Sequence, residues 1–453
     1  MTHLIVDSVL TNAKAYIAGQ IVDCNIAIEE GKIHKIGKET QMPQADEKTD
    51  LHNLLVLPGL IDEHVHLRDE GKAYKEDFFS GTAAAAAGGF TTVLDMPNND
   101  PVTMSVGTLR NRMEIALTKI LINVGVYSEF PKNLAETVAI FAEGAIGFKL
   151  FMSSQVGGLN ISDDQALQDA FKAIAELKVP LAVHAEDWAM LTTNEAKLKQ
   201  AQKIGIADFL RAHTETVELT AIQRLLKLSQ HSEVHLHFCH VTSQEGLNAI
   251  IEAKKSERKG KLTCEVTPNH LLLTSEDVKR IGQMAIMAPP LRDKIHLEAL
   301  WKGLEDGTVD TIGSDHAPHT KEEKAASSIW DVKVGVPGLE TTLPLIMTFV
   351  KKNRLTIVQA VHLLAEKPAE IFGLNDRGRL EQGKNADLTV VDFNRQFKID
   401  ASKFKSKAKF SPYEGWDVQG KVVKTIVNGQ IIFDDGEIVA KAGSGLIARR
   451  GSV

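Results

Sequence analysis

Between Leu54 and Ser314 the chain alternates short apolar runs with helix-length amphipathic segments, and this alternation limits the fold more than any other feature. The runs fall at 54–60, 91–96, 121–127, 146–151, 180–184, 234–239, 261–266 and 309–314. The segments between them carry helix signals. Phe78 to Ala87 ends at Gly88-Gly89, a helix stop. Ser162 stands as an N-cap, with Asp163 and Asp164 in the first turn, before Ala166 to Leu177. Thr214 to Leu228 and Gln244 to Lys254 follow the same pattern. Parallel strands need long crossovers, and a helix is the usual one. Eight such units over this length predict a (β/α)8 TIM barrel. A doubly wound open sheet is the alternative, but no Gly-x-Gly-x-x-Gly turn follows a strand to favour it.

Both ends of the chain read differently. Leu4 to Val6, Ala15 to Ile17, Asn25 to Ile28 and Lys32 to Ile36 are short strands separated by turn residues such as Gly19 and Gly31. After helices at Leu339 to Val350 and Thr356 to Phe372, strands return at Asp387 to Asp392 and Val422 to Val427, with a hairpin turn at Asn428-Gly429. Neither β unit is thick enough to stand alone. Together they predict a small β-sandwich built from both termini: residues 1–53 and 376–453 beside a barrel at 54–375. The tail from Ala442 to Val453 is expected to be mobile.

With 453 residues, the chain is long enough for a barrel and a second domain. A net charge of −7 argues against a nucleic-acid partner, and the basic run Lys254 to Lys261 reads as a solvated helix end. No apolar stretch reaches membrane-spanning length, and Met1-Thr2-His3-Leu4 lacks the opening of a signal peptide. Three dispersed cysteines, Cys24, Cys239 and Cys264, read as reduced, buried thiols of a cytoplasmic protein. Cys239 adjoins His240 but alternates with it on a strand, which assigns it to the core.

Catalytic groups of a barrel gather where its strands end. The first expected strand leads into His64-Val65-His66, where residues two apart share a face and Arg68 joins them if the chain stays extended. The fourth holds Lys149, the fifth ends at His184, the sixth at His240 and the eighth at Asp315. Each alone has an ordinary structural role: a hydrogen-bonded histidine, an ion-paired lysine, a capping aspartate. Gathered at corresponding strand ends, they suit a two-metal hydrolytic site. His64, His66 and Asp315 would hold one ion, His184 and His240 the other. A protonated Lys149 has no lone pair to bridge them, but its carbamate has two oxygens and could span ions about 3.5–4 Å apart.

The chain resembles the amidohydrolase superfamily, and within it the type I dihydroorotases. The motifs are Gly-Leu-Ile-Asp-Glu-His-Val-His-Leu-Arg (59–68), Asp-Met-Pro-Asn (95–98), Thr-Pro-Asn-His-Leu-Leu-Leu-Thr (267–274), Pro-Pro-Leu-Arg (289–292), Ser-Asp-His-Ala-Pro-His (314–319), Gly-Leu-Glu-Thr (338–341) and Gly-Lys-Asn-Ala-Asp-Leu (383–388). The resemblance implies a barrel with a composite β domain, and reversible hydrolysis of dihydroorotate to N-carbamoyl-L-aspartate in pyrimidine synthesis. It implies two Zn2+ per chain, bridged by carbamylated Lys149 and a hydroxide. The ligands would be His64, His66, His184, His240 and Asp315, with Asp315 also moving the proton. Substrate contacts would be Arg68, Asn98 and His319, with backbone groups at Ala288, Val334 and Gly335. The expected partners are a small-molecule substrate and a second copy of the chain in a homo-oligomer (dimer), or another pyrimidine-pathway enzyme.

Three departures stand out. Ser153 and Ser154 occupy the loop where many type I members have a bridging aspartate, and Lys149 instead resembles the carbamylated lysine of hydantoinases and allantoinases. Ala288 replaces an asparagine, leaving its backbone or Asn269 as the contact. Asp69-Glu70-Gly71 stands where Glu-Pro-Gly is usual. An allantoinase, hydantoinase or dihydropyrimidinase is the alternative activity, and a non-catalytic scaffold the alternative class. Arg68 speaks against the alternative activity, unless it only pairs with Asp69 or Glu70, and the retained metal ligands speak against the scaffold. Residues 317–337 are the candidate loop over the substrate.

Overall fold

A computed structural model describes residues 5–451. Leu4 of the first expected strand and Ser452 and Val453 of the tail lie outside the described residues.

The two strands expected around Val6 and Tyr16 are one, β1 (Ile5–Ile17), interrupted by a bulge between Leu10 and Ala13 that breaks the alternation read from sequence. It pairs antiparallel with β2 (Gln20–Glu29), which pairs with β3 (Lys32–Gly37). β4 (Gln44–Asp50) runs parallel to the first half of β1. The run expected as the first barrel strand is divided. β5 (Leu55–Pro58) belongs to the terminal sheet, and the barrel begins after Gly59 with β6 (Leu60–Val65). An added Cβ on Gly59 would meet the Thr91 side chain at 2.2 Å, so glycine lets the chain pass from one layer to the other.

The barrel continues with β7 (Phe90–Asp95), β8 (Asn123–Val126), β9 (Phe148–Phe151), β10 (Pro180–His184), β11 (His235–Phe238), β12 (Leu262–Val266) and β13 (Thr311–Ile312). Neighbours pair in parallel from β6 to β8 and from β9 to β13. Bridges Ser128↔Phe148 and Val65↔His316 close the ring. The strands are buried on both faces, hence the unbroken apolar runs. Asp77 caps the helix Phe78–Ala87 through the Ser80 amide. Asp163, not Ser162, caps Asp164–Leu177.

β14 (Leu388–Lys398), β15 (Asp417–Val427), β16 (Gln430–Asp434) and β17 (Glu437–Ile438) complete the terminal sheet. β5 joins the two chain ends, parallel to β1 at Ala15↔Val56 and antiparallel to β14 at Val56↔Val390. Leu10, Ile26, Ile28, Val56, Leu388, Val390 and Ile426 form their shared core. The architecture is thus a TIM barrel with a β domain from both termini.

The expected mobile tail is docked. Val124 N–H donates to Leu446 O (3.0 Å), Ala448 N–H to Val124 O (2.9 Å) and Gly451 N–H to Gly373 O (2.9 Å), while Ala448 is buried. Backbone bonds of this kind leave no side-chain pattern to read. The three cysteines are buried and free. Among the described residues no helix is long and apolar enough to cross a membrane.

Candidate metal centre

The strand ends bring the singled-out residues to a cavity of about 280 Å³. His64, His66, Arg68, Asn98, His184, His240, Ala288, Asp315, His319, Val334 and Gly335 all line it, with Ser153 and Ser154 on the loop after β9. Lys149 does not reach the wall. It is wholly buried below, donating to Cys239 Sγ at 3.0 Å.

Two groups of ring nitrogens converge. His64 Nε2 and His66 Nε2 lie 3.4 and 3.3 Å from Asp315 Oδ1. Across the floor, His184 Nδ1 faces His240 Nε2 at 3.0 Å. Ligand atoms of His64, His240 and Asp315 all fall within 4.8 Å of one another. The opposite nitrogens are held by other groups: His64 Nδ1 by Glu265 (2.9 Å), His66 Nδ1 by Asn98 Oδ1 (2.7 Å) and His184 Nε2 by Glu186 (2.9 Å). Glu186 also holds His213 at 2.7 Å. Carboxylates behind imidazoles fix their tautomers and aim the free nitrogens inward. With Nε2–H given to Glu186, His184 turns a lone pair toward His240, whose buried Nδ1 has no partner. Two imidazole nitrogens facing each other in this way fit a cation between them, so the residues present suit a metal.

Electrostatics agree. Burial works to raise the Asp315 carboxyl, and the His64 and His66 rings outweigh it, holding it below the usual carboxylate range. Burial lowers His66 to about 4 and, with His184 and His64 beside it, takes His240 well below the ordinary imidazole value. Burial would also lower His64, but Glu265 reverses this. Because Glu265 takes Nδ1–H, Nε2 is the atom left for a second proton or a metal. His240 and Asp315 both hold left-handed backbone, at φ of 33° and 45°, a conformation non-glycine residues adopt at a cost.

Arg68 reaches the cavity by a different route from the one expected. β6 ends at Val65, and Arg68 sits at φ 63° rather than in extended chain. Neither proposed counter-ion is used: Asp69 pairs with Lys119 at 2.7 Å, and Glu70 accepts from Asn111. Burial lowers the guanidinium to about 10, and its Nε has no partner. Asn98 gives its oxygen to His66, so its amide N–H groups are what remains for a ligand. Asn269 instead accepts from the Tyr413 hydroxyl at 2.9 Å and does not line the cavity.

Several contributors were missed in the sequence. Glu265 is an acid within the wholly buried strand β12, where an acid among apolar neighbours is a signal that could have revealed it. Lys75 donates to His319 Nδ1 at 3.1 Å and pairs with Glu323 at 2.7 Å. Lys324 is buried and donates to the carbonyls of Ile286, Lys333 and Gly335, pinning part of the expected covering loop.

A parallel barrel that converges four imidazoles and a carboxylate at its strand ends is the framework of a metal-assisted hydrolase. The chain belongs to the amidohydrolase family, whose model matches residues 55–432. It is 35% identical over 443 residues to a dihydroorotase of Methanosarcina acetivorans, covering 96% of this chain and 94% of that one. It is 37% identical over 419 residues to a dihydroorotase of Bacillus cytotoxicus, covering 92% and 95%. Among solved structures it resembles an L-hydantoinase (dihydropyrimidinase) from Arthrobacter aurescens, with a TM-score of 0.93, 32% identity and coverage of 98% and 100%.

Proposed function

We propose that the chain is a zinc-dependent cyclic amidohydrolase that opens L-dihydroorotate to N-carbamoyl-L-aspartate and closes the ring in reverse, a step of pyrimidine biosynthesis. The observation that carries this is Arg68. It is buried, lacks a carboxylate within 4.0 Å among the described residues, and faces the cavity beside the histidines. A buried guanidinium without a counter-ion is the complement of a substrate carboxylate. Dihydroorotate has that group, whereas hydantoin and dihydrouracil lack it.

His64, His66 and Asp315 would hold one zinc and His184 and His240 a second, with Lys149, once carbamylated, supplying the bridging oxygens. The ions would activate water and polarise the ring carbonyl. Asp315, held ionised, takes a proton and returns it to the departing amide nitrogen. Arg68 and the Asn98 amide orient the ring through its polar edge. His319 donates Nε2–H to Val334 O at 2.9 Å and positions the backbone beside the substrate. The reading also places the enzyme in the cytoplasm, supported by three free thiols, and includes a homo-oligomer, which sedimentation of the purified protein tests.

A hydantoinase is the second reading, favoured by the structural likeness. Turnover of dihydroorotate, carbamoyl aspartate, allantoin, hydantoin and dihydrouracil decides between them. Preference for the first two supports the proposal, and preference for hydantoin or dihydrouracil overturns it.

A further inference from the structure

Below the cavity, the barrel interior holds a second convergence of donor atoms. Glu63 in β6, His237 in β11 and Glu265 in β12 are all 0% exposed, and one ligand atom from each lies within 4.8 Å of the others. Both Glu63 oxygens, His237 Nε2 and Glu265 Oε2 lie outside hydrogen-bonding geometry with any partner, and the Thr311 hydroxyl stands beside Glu63. The remaining atoms of these side chains are engaged. Glu265 Oε1 accepts from His64 Nδ1 and the His240 amide, and His237 Nδ1 meets Thr263 Oγ1 at 2.9 Å. Each of the three side chains therefore keeps at least one unused donor atom within this cluster. His237 Nε2 stands 3.7 Å from Glu265 Oε2, too far for a hydrogen bond.

Buried polar groups are ordinarily satisfied, and buried carboxylates are paired or bound to metal. Among the described residues no Lys or Arg meets Glu63 or Glu265 within 4.0 Å. Two carboxylates, an imidazole and a hydroxyl form an oxygen and nitrogen donor set suited to a borderline divalent ion. We propose that Glu63, His237 and Glu265 form an additional divalent-cation site in the barrel core, distinct from the candidate centre at its mouth. Glu265 then serves both, orienting His64 with one oxygen and holding the inner ion with the other. Because the three residues are sealed from solvent, the ion is taken up as the chain folds and exchanges slowly.

The full-length protein, expressed with zinc and dialysed against EDTA, tests this by elemental analysis. One zinc per chain should resist the chelator in wild type and be missing from Glu63→Met. Crystals of the dialysed wild type should show an anomalous peak at the zinc edge between Glu63, His237 and Glu265. His184→Ala, which disrupts the mouth site, should keep the resistant ion, so failure of the activity reading and failure of this site are seen separately. Equal metal content in wild type and Glu63→Met overturns the proposal. So does the absence of an anomalous peak at the site, whether it then holds a water or only a shared proton. If Glu63→Met does not fold, the wild-type anomalous map decides.

Discussion

Arg68 Nη2 lies 3.2 Å from His319 Nε2, and neither atom satisfies the other. His319 Nδ1 faces the Lys75 ammonium, a donor, so the ring proton sits on Nε2 and points to Val334 O. Burial, with Arg68 and Lys75 nearby, holds the His319 ring well below the ordinary imidazole value, and it stays neutral. Arg68 thus presents donors to a ring edge that cannot accept them, and its natural partner is an incoming anion.

Replacing Arg68 should therefore act on substrate choice. Arg68→Met is expected to lower kcat/KM for dihydroorotate on the order of 10–100-fold, the value of a charge-assisted contact, and to narrow its advantage over dihydrouracil. Arg68→Lys keeps the charge but loses the fork, and should fall between. Steady-state kinetics on both substrates check this. An unchanged ratio would move the assignment toward a hydantoinase.

Asp315→Asn keeps an oxygen for a metal but cannot cycle a proton. Turnover should fall about 10²–10⁴-fold with the fold intact, as judged by circular dichroism and single-turnover assays. Near-normal turnover would remove Asp315 from proton transfer.

Lys149→Ala should lose activity and bind less metal at the mouth of the barrel. If a carbamate is the missing group, formate or acetate should restore part of the rate by supplying oxygens in the vacated space. Rate and metal content measured across an acetate titration test this. Full activity without added acid would exclude Lys149 as a bridge.

Glu129 is a buried carboxyl that accepts from the Phe130 amide, and burial pushes it up to about 8. Its folded pKa exceeds its unfolded one, so the folded state holds the extra proton. That contribution is complete below the ordinary carboxylate range and lost as pH rises through about 8. Glu129→Gln should leave Tm nearly unchanged at pH 5 and raise it relative to wild type at pH 9. Calorimetry at both values checks the sign. A gain only at low pH would refute it.

The barrel was legible because its strands are buried on both faces and its helices on one, so period and length separate them. The site residues were legible for a related reason. Histidines, a lysine and an aspartate at the ends of apolar runs stand out against Val, Leu and Phe. Their supports did not stand out. Glu186 and Lys75 are ordinary charged residues in sequence, and only contacts across strands or loops show what they hold.

What the amino-acid order determined by itself was local: which segments are strands, which are helices, and which chemistry each strand end carries. Tertiary structure decided the rest. It assigned Leu55–Pro58 to the terminal sheet and Leu60–Val65 to the barrel, because a strand's partners depend on edges supplied by distant segments. It docked the C-terminal tail through backbone bonds, which leave little trace in side-chain pattern. It also placed Lys149 beneath the cavity instead of on its wall and left Arg68 without a counter-ion, since charge compensation depends on distances that only the closed barrel sets.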